Sequence, residues 1–525
     1  MNFVNKIISL QLLNRAISDL QEKDIVLCYG HFNVIHPGHL RFLQYARHQG
    51  KQLVVAVLGD KFLNSKLQYF NQEERAASVA ALHDVDWVIV VDQISLKDVI
   101  RQLKPDVYVM GKEFEENRDD QIDEEIALVK KYGGRILFSS GEVNYVSSDL
   151  LHHEFKTIQR EKMQSFQSVC ERHLIRIQSL KEKINRFKNL KILVLGDTIV
   201  DQYASCDPVG MSAEAPVLVL REMETKEFIG GAAIVACHIG ALGAQCHFLS
   251  VTGDDKPAKF VRQTLIKQKI TPHLLIDQDR PTTFKIRYMV GNQKILRVSR
   301  MQEHTLSFSL ESKIIKNLES LIPEIDGLII SDYVYGVVTS RVLDAVINIT
   351  KKHGVSLFGD LQCSSQIGNV SKFKQFDLIC PTEREVRIAL SDQESGLEKL
   401  AMTFMRQTQC KNLLITLGAK GFIAYHTDND NEVVQSQHFP ALTTNPVDVT
   451  GAGDSLLSVM ALSDCVGANL IESSVLGTCV SAITVNRIGN IPVTASNLNQ
   501  FLDQLTLQLE STAIDKKTTS LLGSN

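Results

Sequence analysis

Short apolar runs alternate with longer, helix-like polar stretches twice along this chain, a pattern that parallel sheets with crossover helices satisfy and few other folds do. The first series is IVLCYG (25–30), LVVAVLGD (53–60), DWVIVVD (86–92), DVYVMG (106–111) and RILFSSG (135–141). It predicts an α/β domain over residues 1–155. The second series begins at LKILVLGD (190–197) and continues through FLSVTGDD (248–255), GLIISDY (327–333), VSLFGD (355–360), DLICPT (377–382) and NLLITLGAKG (412–421). It predicts a larger α/β domain over residues 190–508. Within it, PVLVLREMETKEFIGG (216–231) and TTFKIRYMVGNQKILRVSR (282–300) read as successive strands, which adds a small β-lid. The polar stretch 509–525 is expected to fray.

Between the two series, residues 156–189 contain neither Gly nor Pro, and Phe166, Cys170, Leu174, Ile177, Leu180, Ile184 and Phe187 recur every three or four residues. One amphipathic linker helix of roughly 50 Å follows from 1.5 Å per residue. Its opposite face is basic, with Arg160, Lys162, Arg172, Arg176, Lys181, Lys183, Arg186 and Lys188. That face suits a solvated connector, or else a dimerising or anion-binding surface. The 525 residues exceed one ordinary core and suggest roughly three domains of about 150 residues.

Charge narrows the partners. Lys plus Arg number 56 against 60 Asp plus Glu, a net charge of −4, so no global basic field exists to hold nucleic acid or an anionic membrane. The 10 cysteines show no C-x-x-C pair and fit a reduced, cytoplasmic protein. The first twenty residues interrupt their apolar positions with Asn, Gln and Arg and lack a signal-peptide core, and no segment has the uninterrupted apolar length of about 20 residues that a membrane helix needs.

In the first domain, the strand ending at Gly30 runs into GHFNVIHPGHLRFLQYA (30–46), where Pro37 and Gly38 open a helix. His36 and His39 thus fall between a strand C-terminus and a helix N-terminus, where open α/β sheets bind ligands and backbone N–H groups attract phosphate. Two imidazoles three residues apart can donate to neighbouring phosphate oxygens while an anionic nucleophile attacks phosphorus. An H-x-x-H pair also allows zinc, but no third ligand stands at a typical spacing. The pattern G-x-F-[DN]-x-x-H-x-G-H, with Gly30, Phe32 and Asn33, resembles the cytidylyltransferase-like nucleotidyltransferases. That resemblance implies a Rossmann-like fold and assigns Lys66, Arg75, Gly111, Lys112, Ser147 and Ser148 to nucleotide and phosphate binding. Lys66 and Lys112 read equally well as solvated surface lysines, and Asn33 stands where the sugar-nucleotide members have Asp.

In the second domain the sharpest motif is VDVTGAGDSLLS (447–458). Gly451 and Gly453 permit the tight turn that brings helix N-terminal N–H groups, Ala452 among them, onto an anion, and Asp454 is placed to take a proton from a substrate hydroxyl. With GGAAIVA (230–236), the motif resembles the ribokinase-like (PfkB) carbohydrate kinases; there is no P-loop pattern. The resemblance implies ATP contacts at Thr416, Gly418 and Gly421, a Mg²⁺-organising role for Glu385, and a monovalent-cation (K⁺) loop at Asp448 and Thr450. GDTIVDQY (196–203), SAEAPVLVL (212–220) and ISDYVYG (330–336) look most like the heptose-phosphate kinase branch. This implies that Asp201, Gly230 and Gly231 hold the sugar. Lys285, Arg287 and Arg297 suit a remote phosphate, or cross-strand charges on the lid surface. Three departures remove polar groups: Ile234 for the Asn of GGAAN, Thr382 for the Asn of N-x-x-E, and GDLQCSS (359–365) for a D-P-K segment. They leave open a changed substrate, a slower kinase or a silent one.

Taken together, the resemblances cover most of the chain and point to the bifunctional heptose 7-phosphate kinases and heptose 1-phosphate adenylyltransferases that make ADP-heptose for lipopolysaccharide core, with the two halves in reversed order. They imply sugar phosphates and ATP as substrates, a separate sugar bisphosphate phosphatase between the two reactions, and a homo-oligomer. Two alternatives remain: another sugar or polyol with a CDP product, or a kinase fold that serves the transferase as a non-catalytic sensor or scaffold.

Overall fold

The computed structural model describes residues 6–18, 24–32, 35, 37–62, 70–92, 94–111, 114, 120–139, 155–214, 217–291, 293–302, 304–363, 368–427, 434–444 and 446–506. The chain divides into two compact units, Met1–Thr157 with Ser391–Thr403 and Ile158–Leu390 with Phe404–Asn525.

In the first unit, all five expected runs are strands: β1 (Ile25–Gly30), β2 (Gln52–Leu58), β3 (Trp87–Val91), β4 (Val107–Gly111) and β5 (Arg135–Ser139). They form a parallel sheet in the order β3-β2-β1-β4-β5. Alternation along each strand splits the side chains between two cores. Ile25, Leu27, Val54 and Ala56 pack on one face, while Val26, Cys28, Leu53 and Val55 pack on the other. Helices therefore cover both faces, as a fully buried parallel sheet requires. Two of them start with reciprocal capping boxes, Asn71 with Glu74 and Ser95 with Asp98. Strand order reverses between β1 and β4, and the two strands end in Gly30 and Gly111 at that switch point.

The second unit begins with β6 (Lys191–Gly196), β7 (Thr198–Met211), β8 (Leu218–Gly231), β9 (Gln245–Thr252) and β10 (Thr271–Ile276). It continues with β11 (Thr283–Val290), β12 (Gln293–Arg300), β13 (Gly327–Asp332), β14 (Ser356–Leu361) and β15 (Leu378–Ile379). The series ends with β16 (Asn412–Thr416), β17 (Phe422–Thr427) and β18 (Val434–Phe439). A nine-stranded sheet has the order β10-β9-β6-β13-β14-β15-β16-β17-β18. It is parallel as far as β16, and β17 and β18 close it antiparallel.

The expected lid is a separate four-stranded sheet, β12-β11-β7-β8, and β12 is exposed at every position. Only Asp197 separates β6 in the main sheet from β7 in the lid. Its buried carboxylate accepts the N–H groups of Tyr333 (2.8 Å), Tyr335 (3.2 Å) and Val337 (3.2 Å), which anchors the lid's root beside the end of β13. Burial and the neighbouring Asp332 push this carboxyl up to about 7.

The stretch expected as one linker helix is two, Phe155–Arg172 and Ile177–Arg186. Leu174 takes a left-handed backbone (φ 53°), its N–H bonding Glu171 O at 3.1 Å and the Ile175 N–H bonding Cys170 O at 2.8 Å. These are the two bonds of a Schellman stop, built here without glycine. The break lets Phe166, Val169 and Cys170 from one helix and Leu180 and Ile184 from the other enter the core of the second unit.

Candidate functional site

Helix Ala452–Cys465 starts at Gly451, whose φ of 81° disfavours any side chain, and an added Cβ would lie 2.7 Å from Asn490 Oδ1. This N-terminus opens onto a cavity of about 730 Å³ lined by Gly451, Ala452, Gly453 and Asp454. The Asp454 carboxylate is buried and accepts the Tyr333 hydroxyl at 3.0 Å. Burial raises its pKa to about 7; the Tyr333 hydrogen bond pulls it down and the charge of Asp201 pushes it up. A carboxyl so poised at a helix N-terminus can accept a proton near neutral pH while the helix end holds an anion.

The lid supplies the opposite charge. Lys285 and Arg287 alternate onto one face of β11, and Arg297 on β12 stands directly across from Arg287; all three line the cavity. Arg287 forms an ion pair with Asp201 and lies over the Tyr203 ring, 5.3 Å from its centroid. Lys285 is buried, its ammonium 5.1 Å from the Tyr335 ring centroid and 5.8 Å from that of Tyr333. Gly230 makes room for the Asp201 carboxylate, because a Cβ there would meet Asp201 Oδ2 at 2.6 Å. Gly231 lines the cavity with Asp201, and Thr416, Gly418 and Gly421 line it as well.

Two of the departures acquire local explanations. Thr382 Oγ1 accepts the Glu385 N–H at 3.2 Å and Glu385 Oε2 accepts the Thr382 N–H at 2.8 Å, a capping box at the start of helix Glu383–Leu390. Thr382 thus keeps a polar task and holds Glu385 in place. Glu385 Oε1 also accepts the Cys363 N–H at 2.9 Å. Ile234 is fully buried in the core. Where the D-P-K segment was expected, the end of β14 directs Asp360 to the cavity, and residues 364–367 lie outside the described residues. Burial, then the charges of Glu385 and Asp454, hold the Asp360 carboxyl far above the usual carboxylate range. Sequence reasoning gave no role to Tyr333 or Asp360. Both lie at strand C-terminal ends, where ligands of open α/β sheets collect.

In the first unit, Phe32 is buried with a left-handed backbone (φ 48°), and its ring lies 5.1 Å from that of His39 in the first turn of helix Pro37–Arg47. Arg75 takes a different position from the phosphate contact expected of it. Its guanidinium is fully buried, donating to His31 O at 2.5 Å and to Asp60 Oδ1 at 2.7 Å. It holds the backbone at His31, just past the end of β1. Asn33, His36, Lys66, Lys112, Ser147 and Ser148 lie outside the described residues. Among the described residues, no cluster of three or more His, Cys, Asp or Glu side chains is arranged for a metal ion, and no helix is long and apolar enough to cross a membrane.

Residues 189–496 match the pfkB family of carbohydrate kinases, and the chain belongs to that family. Residues 27–165 match the cytidylyltransferase-like family, so the two types follow the order expected from the motifs. The bifunctional protein HldE of Campylobacter jejuni is 32% identical over 318 residues, 59% of this chain and 64% of that protein. The HldE protein of Helicobacter acinonychis is 31% identical over 318 residues, 60% of this chain and 66% of its own length. The chain therefore spans somewhat under two thirds of these curated relatives. Phosphofructokinase-2 of Escherichia coli shares the fold, with a TM-score of 0.50 and 17% identity over 60% of this chain and 100% of that one.

Proposed function

We propose that the chain makes a nucleotide-activated heptose in two reactions. The pfkB-type unit transfers the γ-phosphoryl group of ATP to the anomeric hydroxyl of heptose 7-phosphate, and the first unit transfers AMP from ATP to heptose 1-phosphate, releasing pyrophosphate. A separate phosphatase removes the 7-phosphate between them. The observation that carries the kinase step is the buried Asp454 carboxyl, poised near 7 at the mouth of the Gly451–Gly453 turn.

In this reading Asp454 accepts the anomeric proton as the sugar oxygen attacks phosphorus, and the N–H groups of the turn stabilise the charge on the transferring group. Asp201 and Gly231 hold the sugar, Lys285, Arg287 and Arg297 take its distal phosphate, and Thr416, Gly418 and Gly421 face the nucleotide. Asp360 and Glu385, two carboxylates that both line the cavity and repel each other, are the groups suited to hold Mg²⁺. When bound, the dication neutralises phosphate charge. In the first unit His36 and His39 stabilise the α-phosphoryl transition state, with Gly30, Phe32, Asn33 and Gly111 around the nucleotide.

Residues 1–155 form the transferase domain in this scheme, 156–189 the connecting helices, 190–508 the kinase domain and 509–525 a tail. The reactions take place in the cytoplasm, where ATP is supplied. A homo-oligomer belongs to the same reading, and exposed apolar side chains on the lid, Met211, Leu218, Met223 and Leu296 among them, give a second copy a surface to cover.

The test is ³¹P NMR of the full chain with Mg-ATP and heptose 7-phosphate, followed by heptose 1-phosphate offered with ATP or CTP. We expect an anomeric phosphate and an ADP-sugar. Asp454→Asn should lower phosphorylation by about a thousandfold and spare nucleotidyl transfer, and His39→Ala should do the reverse. Turnover with CTP alone would replace the adenylyl product by a cytidylyl one, and an Asp454→Asn variant of undiminished kinase rate would remove the assigned base.

A further inference from the structure

The turn leading into the anion-binding helix already has a cation. Asp448 Oδ1 accepts the Thr450 hydroxyl at 2.7 Å and the Thr450 N–H at 3.2 Å, while Oδ2 accepts the Gly489 N–H at 3.2 Å and the Tyr203 hydroxyl at 3.3 Å. The ammonium of Lys294, on lid strand β12, stands 3.5 Å from Asp448 Oδ1 and 3.4 Å from Thr450 Oγ1. Because the Thr450 hydroxyl gives its proton to Asp448, its lone pairs remain for Lys294. The Asp448 side chain is only 9% exposed and that of Lys294 46%, so a nearly buried carboxylate is matched by a charge reaching in from solvent on another element. Burial works against the ionised Asp448, and the Thr450, Lys294 and Gly489 donors outweigh it, holding the carboxyl below its ordinary range.

The side chains expected at a monovalent-cation loop therefore do not fit a free ion as they stand. K⁺ bound to Asp448 Oδ1 and Thr450 Oγ1 would take the place the ammonium occupies between those same two oxygens, so the two cations compete for it. We propose that Lys294 is the tethered cation of this turn, so that phosphotransfer proceeds without a free monovalent cation and depends on the lid being seated against the Asp448–Thr450 turn. The geometry explains the coupling. Thr450 is followed directly by Gly451, the N-cap whose conformation sets the anion-binding N–H groups, so the hold on Asp448 fixes that N-terminus. Lys294 is a positioning residue in this scheme. It acts on the transferred phosphoryl group only through the turn.

This inference rests on the phosphotransfer reading of the second unit, and its test has an arm that does not. The full chain, with Lys294→Met and Lys294→Arg, would be compared in KCl and in tetramethylammonium chloride at equal ionic strength. Three quantities would be read: phosphorylation of heptose 7-phosphate, the melting temperature, and binding of Tl⁺ by thallium NMR. The wild type should show no difference between the salts and no saturable Tl⁺ site. Lys294→Met should phosphorylate at least about tenfold more slowly in tetramethylammonium, recover in K⁺, melt higher in K⁺ and bind Tl⁺. Lys294→Arg should resemble the wild type. Saturable Tl⁺ binding or K⁺ stabilisation of the wild type would overturn the proposal, as would a Lys294→Met variant with neither. If no form phosphorylates the sugar in either salt, the kinase reading has failed, and the Tl⁺ and melting measurements still decide the tethered cation.

Discussion

Arg75 in the first unit and Arg297 in the second are both arginines that motif logic assigns to phosphate, and the fold uses them in opposite ways. Arg75 is fully buried and spends its hydrogen bonds on His31 O and Asp60. Arg297 sits on an exposed lid strand with its side chain lining the cavity, across from Arg287. A buried guanidinium that donates to backbone holds the local fold, whereas one on a cavity wall is open to an anion. Residue type and the expectation of a phosphate partner are shared; burial and the groups each arginine reaches are not.

Replacing each by methionine gives the largest contrast. Arg75→Met takes a buried guanidinium away from the partly exposed Asp60 and leaves the His31 carbonyl without its donor, so the first unit should lose about 1 to 2 kcal/mol of stability. With the guanidinium gone, His31, whose pKa is now lowered by burial first and Arg75 second, should also titrate higher. Arg297→Met should lower the melting temperature far less than Arg75→Met and raise KM for the sugar phosphate by about tenfold or more, with little change in kcat. Calorimetry and steady-state kinetics on both variants would break the comparison if Arg75→Met melted normally or Arg297→Met unfolded.

A finer contrast lies between Asp454 and Asp448, two carboxylates on either side of Gly451. One is raised by burial to about 7, and the other is held low by its donors. Kinase rate should therefore rise with pH as Asp454 ionises, with a midpoint near 7, and show no inflection from Asp448 in that range. Tyr333 donates to the charged form of Asp454 and so favours it. Tyr333→Phe should move the midpoint to higher pH, costing about tenfold in rate at pH 7 and much less at pH 9. An unchanged midpoint in a pH–rate profile would mean that the hydrogen bond does not tune the base.

The parts of this molecule that are legible in its sequence are those set locally. All five strands of the first unit coincide with short β-rich runs, and the Gly451 turn coincides with the DVTGAGD motif, because buried parallel strands and glycine-dependent turns leave compositional marks. The last run legible as strand ends at Gly421, one residue before the hairpin β17–β18 begins. The hairpin's polar members His426, Gln435 and Gln437 hide the strand pattern at an antiparallel sheet edge. Lys294 lies 154 residues from Asp448, and no local pattern joins them. The same holds for Tyr333 and Asp454, 121 residues apart.

The linker break is the hardest feature to read and yields the smallest effect, but its sign is diagnostic. A stretch without Gly or Pro and with apolar residues at helical spacing should continue as helix, yet the chain stops at Leu174, which is 83% exposed and left-handed. The strain of about 1 to 2 kcal/mol for a non-glycine residue there is offset by the core contacts of Phe166, Val169, Leu180 and Ile184 that the break permits. Leu174→Gly removes the strain, gives up little buried surface, and pays about 0.5 to 1 kcal/mol of extra chain entropy on folding. The net should be a gain of about 0.5 kcal/mol in the unfolding transition of the second unit. Were the two helices one, glycine in its interior would instead cost about 1 kcal/mol. A urea titration of the variant against the wild type thus distinguishes a Schellman stop from a continuous helix by the direction in which the midpoint moves.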